Sequence, residues 1–146
     1  MLERIQTVLG FDYGLKRIGV ATGQRITATA APLHALAAQD GVPDWVRVEA
    51  VIKEWRPHAL LVGLPLNMDD SESELSRLAR KFARRLEGRF TLPVFMVDER
   101  LTSRSARELL VDIGARRKGK LPSLDSTAAV LMVEGWLSEP SVAHKP

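Results

Sequence analysis

Short unbroken apolar runs, each bounded by glycine, proline or a carboxylate, recur along this chain, and between them apolar residues return at helical spacing. Thr7 to Asp12 (TVLGFD) is such a run, ending in an acid and followed by Gly14, which predicts a buried strand and a turn. Arg17 to Thr22 (RIGVAT) follows about four residues on, a spacing that suits a hairpin. Thr27 to Leu36 alternates more weakly and predicts a third strand. Gly41-Val42-Pro43-Asp44 then ends the sheet, and Asp44 caps a helix whose apolar face is Trp45, Val48, Val51, Ile52 and Trp55, with Pro57 as its stop. Ala59 to Leu64 (ALLVGL) is apolar throughout, as a parallel strand covered on both faces should be. Ser71-Glu72-Ser73-Glu74 has a capping-box pattern and opens a helix bearing Leu75, Leu78, Phe82 and Leu86, with Gly88 as its expected end. Pro93 to Val97 is a further buried strand, running into Asp98 and Glu99. A helix is expected from Thr102 or Ser103 to about Ile113, a mobile basic loop over 114–122, and a last helix from Asp125 to Leu137 with Ala129, Met132, Val133 and Trp136 inward.

The expected order is β-β-β-α-β-α-β-α-α. It predicts an α/β protein with a five-stranded mixed sheet, the first three strands antiparallel and two parallel strands added on one side, helices on both faces. We expect one domain over 1–138 and a flexible C-terminal tail over 139–146.

Composition narrows the classes. The 146 residues are 45% hydrophobic and 27% charged, without cysteine, which excludes disulfides, thiolate metal sites and cysteine nucleophiles. No secretory pattern or membrane-length apolar run is present, so a cytoplasmic protein is expected. The net charge is only +3, but its distribution is uneven. From Arg77 to Lys120 there are thirteen basic and five acidic residues, +8, against −5 for the remainder. A basic segment in an acidic background suggests nucleic acid as partner, although a solvated helix face would look the same.

Two carboxylates follow apolar strands directly: Asp12 and Glu99. Strand ends hold side chains rigidly at the edge where sites form in α/β sheets. Asp125 opens a helix able to pack across that edge. Three converging carboxylates repel one another and call for a cation, and hard oxygen ligands suit Mg²⁺ or Mn²⁺. Two such ions can activate water and stabilise the leaving oxygen in phosphodiester hydrolysis. Each acid also has a plain structural reading: an Asx-turn for Asp12, a surface ion pair for Glu99, a helix-terminal charge for Asp125.

The stretches GFDYGLKRIGVA (10–21), LLVGLPLNMDDS (60–71), VDERLTSRSA (97–106) and LDSTAAVLMVEGWL (124–137) together resemble the YqgF/RuvX family of the RNase H-like superfamily. The resemblance covers the chain almost end to end. It implies an RNase H-like fold and a metal-dependent nuclease, with Asp12, Glu99 and Asp125 as catalytic and metal-binding acids. It implies that Gly63, Pro65 and Asn67 shape the cleft and that Arg100 and Thr102 meet phosphate. The family is described either as nucleases maturing the 5′ end of 16S rRNA or as Holliday junction resolvases, so the substrate is structured RNA or branched DNA. A resolvase has to be a two-fold dimer, whereas an RNA-processing enzyme can be a monomer. Two departures stand out. Val62-Gly63-Leu64-Pro65 lacks the carboxylate that the wider superfamily carries there, and Ala128 stands where resolvases of the RuvC type have a second helix acid. A three-acid site would then hold its second ion weakly, or only with substrate bound.

Lys16 and Arg17 lie in the turn after Asp12. Arg104, Arg116, Arg117, Lys118 and Lys120 can track a phosphate backbone. Trp45, Trp55 and Trp136 fall on apolar stripes and belong to the core, while Tyr13 either stacks on a base or packs on its own turn. His34, His58 and His144 have no ligand spacing. Two other readings fit less well: an actin-like ATP-binding fold, for which the chain is too short, and a non-catalytic RNA-binding module.

Overall fold

The computed structural model describes residues 4–65, 69, 71–98, 124–140 and 143–146. Among them are six strands and three helices: β1 (Thr7–Asp12), β2 (Arg17–Gln24), β3 (Thr29–Gln39), β4 (Val42–Pro43), α1 (Trp45–Trp55), β5 (Ala59–Leu64), α2 (Glu74–Phe90), β6 (Val94–Asp98) and α3 (Leu124–Ser138). The strands form one sheet in the order β4-β3-β2-β1-β5-β6. The β1/β2, β2/β3 and β3/β4 pairs are antiparallel, and β5 and β6 join β1 in parallel. The expected mixed sheet is therefore present, with a sixth strand added.

That sixth strand comes from a hairpin the hydrophobic pattern hides. β3 runs to Gln39 rather than Leu36, and Ala38 and Gln39 pair with Pro43 and Val42. The two residues between, Asp40 and Gly41, have φ of 51° and 82°. A two-residue loop with both φ positive is the turn that asparagine-glycine and aspartate-glycine pairs favour, because its twist matches the flanking strands. Proline is tolerated in β4 because that strand lies on the sheet edge.

α1 and α2 cover one face and α3 the other. Leu9, Phe11, Ile18, Val20, Leu60, Val62, Leu64 and Met96 pack under α1 and α2, with Val48, Ile52, Phe82 and Leu86. Val8, Ala21, Leu61 and Val97 pack under α3, with Ala129, Met132, Val133 and Trp136. This two-residue alternation fixes which face each strand position serves. β5 is buried at every position, as its sequence requires.

The helix ends refine the expectations. Asp44 caps α1 by accepting from the Val46 amide at 3.0 Å. At α2 the cap is Ser73, and the box closes with Ser76 rather than through an acid: each serine hydroxyl accepts from the other's amide. Gly88 does not end α2. The helix continues to Phe90 and stops at Thr91, whose φ is 56°. Phe90 packs on the Trp45 ring, centroids 6.4 Å apart, and that contact outweighs the helix-weakening glycine. Beyond α3, where a free tail was expected, His144 forms an antiparallel bridge to Met96 on the outer edge of β6, with N–H···O distances of 2.6 and 3.1 Å. The expected helix at 103–113 and loop at 114–122 lie outside the described residues.

Candidate active site at the edge of the sheet

β1, β5 and β6 are parallel, so their C-terminal ends, at Asp12, Leu64 and Asp98, share one edge. Asp12 is the last residue of β1, half-buried, and in register with Gly19 of β2. By alternation it follows Val8 and Gly10 onto the α3 face. Asp98 follows Val94 and Met96 and falls on the opposite face, in register with the buried Leu64. The sheet thus separates Asp98 from Asp12.

α3 is brought over this edge by two devices. The first is a floor without side chains. A Cβ at Gly10 would lie 2.4 Å from one Val133 methyl, and a Cβ at Gly23 would lie 2.4 Å from the other. Both are far inside van der Waals contact, so only glycine lets the helix sit this close. The second is a serine bridge. Between Ile18 and Val20 the register of β2 against β3 slips, with β3 advancing from Leu36 to Leu33. At this bulge the fully buried Ser126 hydroxyl donates to the Leu33 carbonyl at 2.6 Å and accepts from the Val20 amide at 3.4 Å. Val20 is the register partner of Phe11, next to Asp12. The bridge therefore pins the first turn of α3, the turn that carries Asp125, at the level where β1 ends.

The sequence pattern did not single out Gly10, Gly23 or Ser126. The glycines were legible in principle, since glycine inside an apolar strand often marks a close approach of another backbone. Ser126 was legible only as part of the LDSTAA stretch. Of the three expected acids, the sheet positions Asp12 directly and α3 positions Asp125 through its backbone, while Glu99 lies outside the described residues. Among the described residues no group of three His, Cys, Asp or Glu gathers to hold a metal ion.

Lys16 and Arg17 are exposed at the β1–β2 turn, beside Asp12 in the chain. That turn is held by the Leu15 and Lys16 carbonyls, which accept from Gly41 and Ala38 at 2.8 Å each. Tyr13 packs on the turn and offers no stacking face. It is buried, its ring lies 5.2 Å from Phe82, and its hydroxyl donates to the Gly41 carbonyl at 2.8 Å. Burial raises its pKa above the ordinary 10.0, and the Arg85 charge opposes that rise. Gly63 is buried in register with Val97, and the Pro65 carbonyl accepts from Ser76, tying the end of β5 to the start of α2. Asn67, Arg100, Thr102, Arg104, Arg116, Arg117, Lys118 and Lys120 lie outside the described residues. Trp136 is fully buried, and Trp45 and Trp55 pack against the core, as their stripes implied. A groove of about 540 Å³ between β3 and α1 is lined by Leu33, His34, Arg47 and Trp55, and Asp12 does not line it.

The family model described as "RuvX: Holliday junction resolvase" matches residues 6–139. A protein of Pseudomonas aeruginosa, named "Putative pre-16S rRNA nuclease", is 56% identical over 135 residues, covering 92% of this chain and 94% of that protein. A protein of the same name from Azotobacter vinelandii is 55% identical over 132 residues, covering 90% and 93%. Among solved structures, T. thermophilus RuvC in complex with a Holliday junction substrate superposes with a TM-score of 0.63 at 15% identity, covering 95% of this chain and 99% of that one. A fowlpox virus resolvase with Holliday junction DNA gives 0.55 at 10% identity, covering 92% and 99%. At such identities the likeness concerns the fold.

Proposed function

This chain belongs to the RuvX family, with the RNase H-like fold of the resolvases it superposes on, and from that premise we propose that it is a divalent-metal-dependent nuclease whose substrate is the 5′ end of pre-16S rRNA. The observation that carries the reading is the arrangement at the sheet edge. Asp12 ends a buried strand, a glycine floor seats the middle of α3 close on the sheet, and a serine bridge ties the first turn of α3, the turn of Asp125 in the chain, to β2 and β3. Structural readings of these acids, as turn formers or helix-end charges, do not call for a helix seated so closely.

Asp12, Glu99 and Asp125 are the proposed ligands. Their hard carboxylate oxygens fit Mg²⁺ or Mn²⁺, which when bound supply an activated water and charge stabilisation of the leaving oxygen. The protein's own part is positioning. The strand ends set the acids before substrate arrives, and Lys16, Arg17, Asn67, Arg100, Thr102, Arg104, Arg116, Arg117, Lys118 and Lys120 hold the phosphate backbone in register. No helix among the described residues is long and apolar enough to cross a membrane, and we assign the protein to the cytoplasm, where rRNA is processed.

The rRNA substrate rests on relatives more than half identical along nearly the whole chain. The second reading, junction resolution on branched DNA, is favoured by the family description and by the fold of the superposed resolvases. It requires a two-fold dimer to make paired cuts. Cleavage of end-labelled substrates by wild type and Asp12→Asn discriminates these readings: a precursor-rRNA mimic, a four-way DNA junction and duplex DNA, each with Mg²⁺, Mn²⁺ or chelator. Metal-dependent cutting of the RNA, lost in Asp12→Asn, is expected. Absence of cutting on every substrate would sink the nuclease reading and leave a binding module.

A further inference from the structure

α2 carries six basic residues against two acidic ones, and four of the six recur every fourth position: Arg77, Lys81, Arg85 and Arg89. Residues four apart share a helix face, so these form one stripe, rising about 6 Å per step and about 18 Å in all. Only Arg77 is neutralised, by Glu74, with an Nε–Oε2 distance of 3.0 Å. Lys81, Arg85 and Arg89 make no ion pair with any described carboxylate. Like charges at this spacing destabilise the helix that bears them, and against the three stand only Asp40, across a small cavity from Lys81 and Arg85, and the Trp45 ring under Arg89, among the described residues.

The stripe has a shaped setting. Lys81 and Arg85 form one wall of a small cavity of about 100 Å³, Asp40 to Pro43 the other, and Tyr13, Trp45 and Phe82 its floor. Arg89 lies over the Trp45 ring at 4.2 Å, which fixes its plane and leaves the guanidinium edge to donate. The opposite wall is the segment that holds the β1–β2 turn through Leu15 and Lys16. The cavity therefore borders the turn that carries Lys16 and Arg17, at the edge of the sheet where β1 ends in Asp12 on the other face.

We propose that Lys81, Arg85 and Arg89 form a second phosphate track, along which a nucleic acid strand leaving the Asp12 edge passes over the β1–β2 turn and down α2. The inference leans on the nuclease reading only for the identity of the anion, a phosphodiester backbone, which RNA and DNA share.

The test scores binding in chelator, with no cut required. Affinity for an rRNA stem-loop with a single-stranded tail and for a four-way DNA junction is measured from 50 to 200 mM salt. The proteins compared are wild type, the Lys81→Ala/Arg85→Ala/Arg89→Ala triple variant, a charge-keeping Arg85→Lys/Arg89→Lys variant and Lys53→Ala on α1. At about 0.9 counterions per duplex contact, the triple variant should lower the slope of log affinity on log salt by about 2 to 3, so that wild type loses about 40-fold more affinity over that range. The charge-keeping variant and Lys53→Ala should match wild type. A loss on one substrate only assigns the track to that nucleic acid. If the triple variant is poorly folded, protection of Lys81 in the wild type against an acylating reagent replaces it. Unchanged slopes, or a Lys81 equally reactive with and without nucleic acid, overturn the track and leave the nuclease reading standing. Track-dependent binding with no cutting of either substrate once Mg²⁺ or Mn²⁺ replaces the chelator does the reverse.

Discussion

Ser126 offers the sharpest link between packing and chemistry. Ser126→Ala removes the donor that the Leu33 carbonyl uses at 2.6 Å and the acceptor that the Val20 amide uses at 3.4 Å. Ser126 itself is fully buried and its bond to Leu33 part-buried, so the lost hydroxyl is poorly replaced by water. An orphaned buried carbonyl costs about 1–3 kcal/mol, whereas the long amide contact adds little. Alanine returns about 0.5 kcal/mol through its better helix propensity, leaving a net loss of about 1–2 kcal/mol. For a chain of this size that lowers Tm by roughly 3–8 °C. The protein stays folded at 25 °C, so turnover there reads geometry rather than unfolded fraction. With its bridge gone, the first turn of α3 is free to lift from the bulge and carry Asp125 away from Asp12. Displacements near 1 Å at a reacting centre cost up to about 100-fold, so kcat should fall about 10- to 100-fold with substrate affinity in chelator unchanged. Parallel melts and single-turnover cleavage provide the assay. A variant that melts early yet keeps kcat within about twofold of wild type would refute the argument that this bridge places the acids.

Gly10→Ala should cost about 1–3 kcal/mol by overpacking against Val133, and Val133→Ala in the same chain should restore most of it; urea denaturation of the single and double variants checks this, and no rescue would place the clash elsewhere. Gly88→Ala should stabilise by about 0.5–1 kcal/mol, because that glycine is exposed inside α2 and an added methyl would meet nothing within 4 Å. Gly41→Ala should destabilise strongly by the same melts, since its φ of 82° disfavours a side chain and its Cβ would meet the Tyr13 hydroxyl at 2.0 Å. Tyr13 is the chain's one tyrosine, so phenolate absorbance reports it alone. Its folded pKa lies above the unfolded 10.0, so its contribution to stability is complete below pH 10.0 and is lost as pH rises from there through the folded value. Native protein should form phenolate at higher pH than protein in urea, and Arg85→Ala should widen the gap; coincident titrations would contradict the burial argument.

Much of the architecture was legible because burial here follows simple periods. β5, apolar at every position, could only be a doubly covered strand, and the α1 stripe of Val48 and Ile52 could only face a core. What escaped was structure held by backbone rather than by side-chain pattern. β4 exists because Asp40 and Gly41 turn the chain tightly, and Ala37 to Gln39 carry no alternation to announce it. The end of α2 was misplaced because a single tertiary contact, Phe90 on Trp45, overrode a local helix weakener. At the site, acids after strands were legible as chemistry. The seating of α3 over that edge was not, since it depends on an absence of side chains at Gly10 and Gly23 and on a bulge that a distant serine fills.

That distance has a consequence for how the molecule is assembled. The Val20–Ser126 bond joins residues 106 positions apart, and α3 covers strands made at the very start of the chain. Contacts so remote in sequence form late, because the entropy of closing the loop is lost before they repay it. On the ribosome, β1 to β3 are made long before the helix bearing Asp125 is translated. Until then the glycine floor lies bare. The face of the sheet onto which Asp12 points is therefore completed last, when the final helix closes over strands made first.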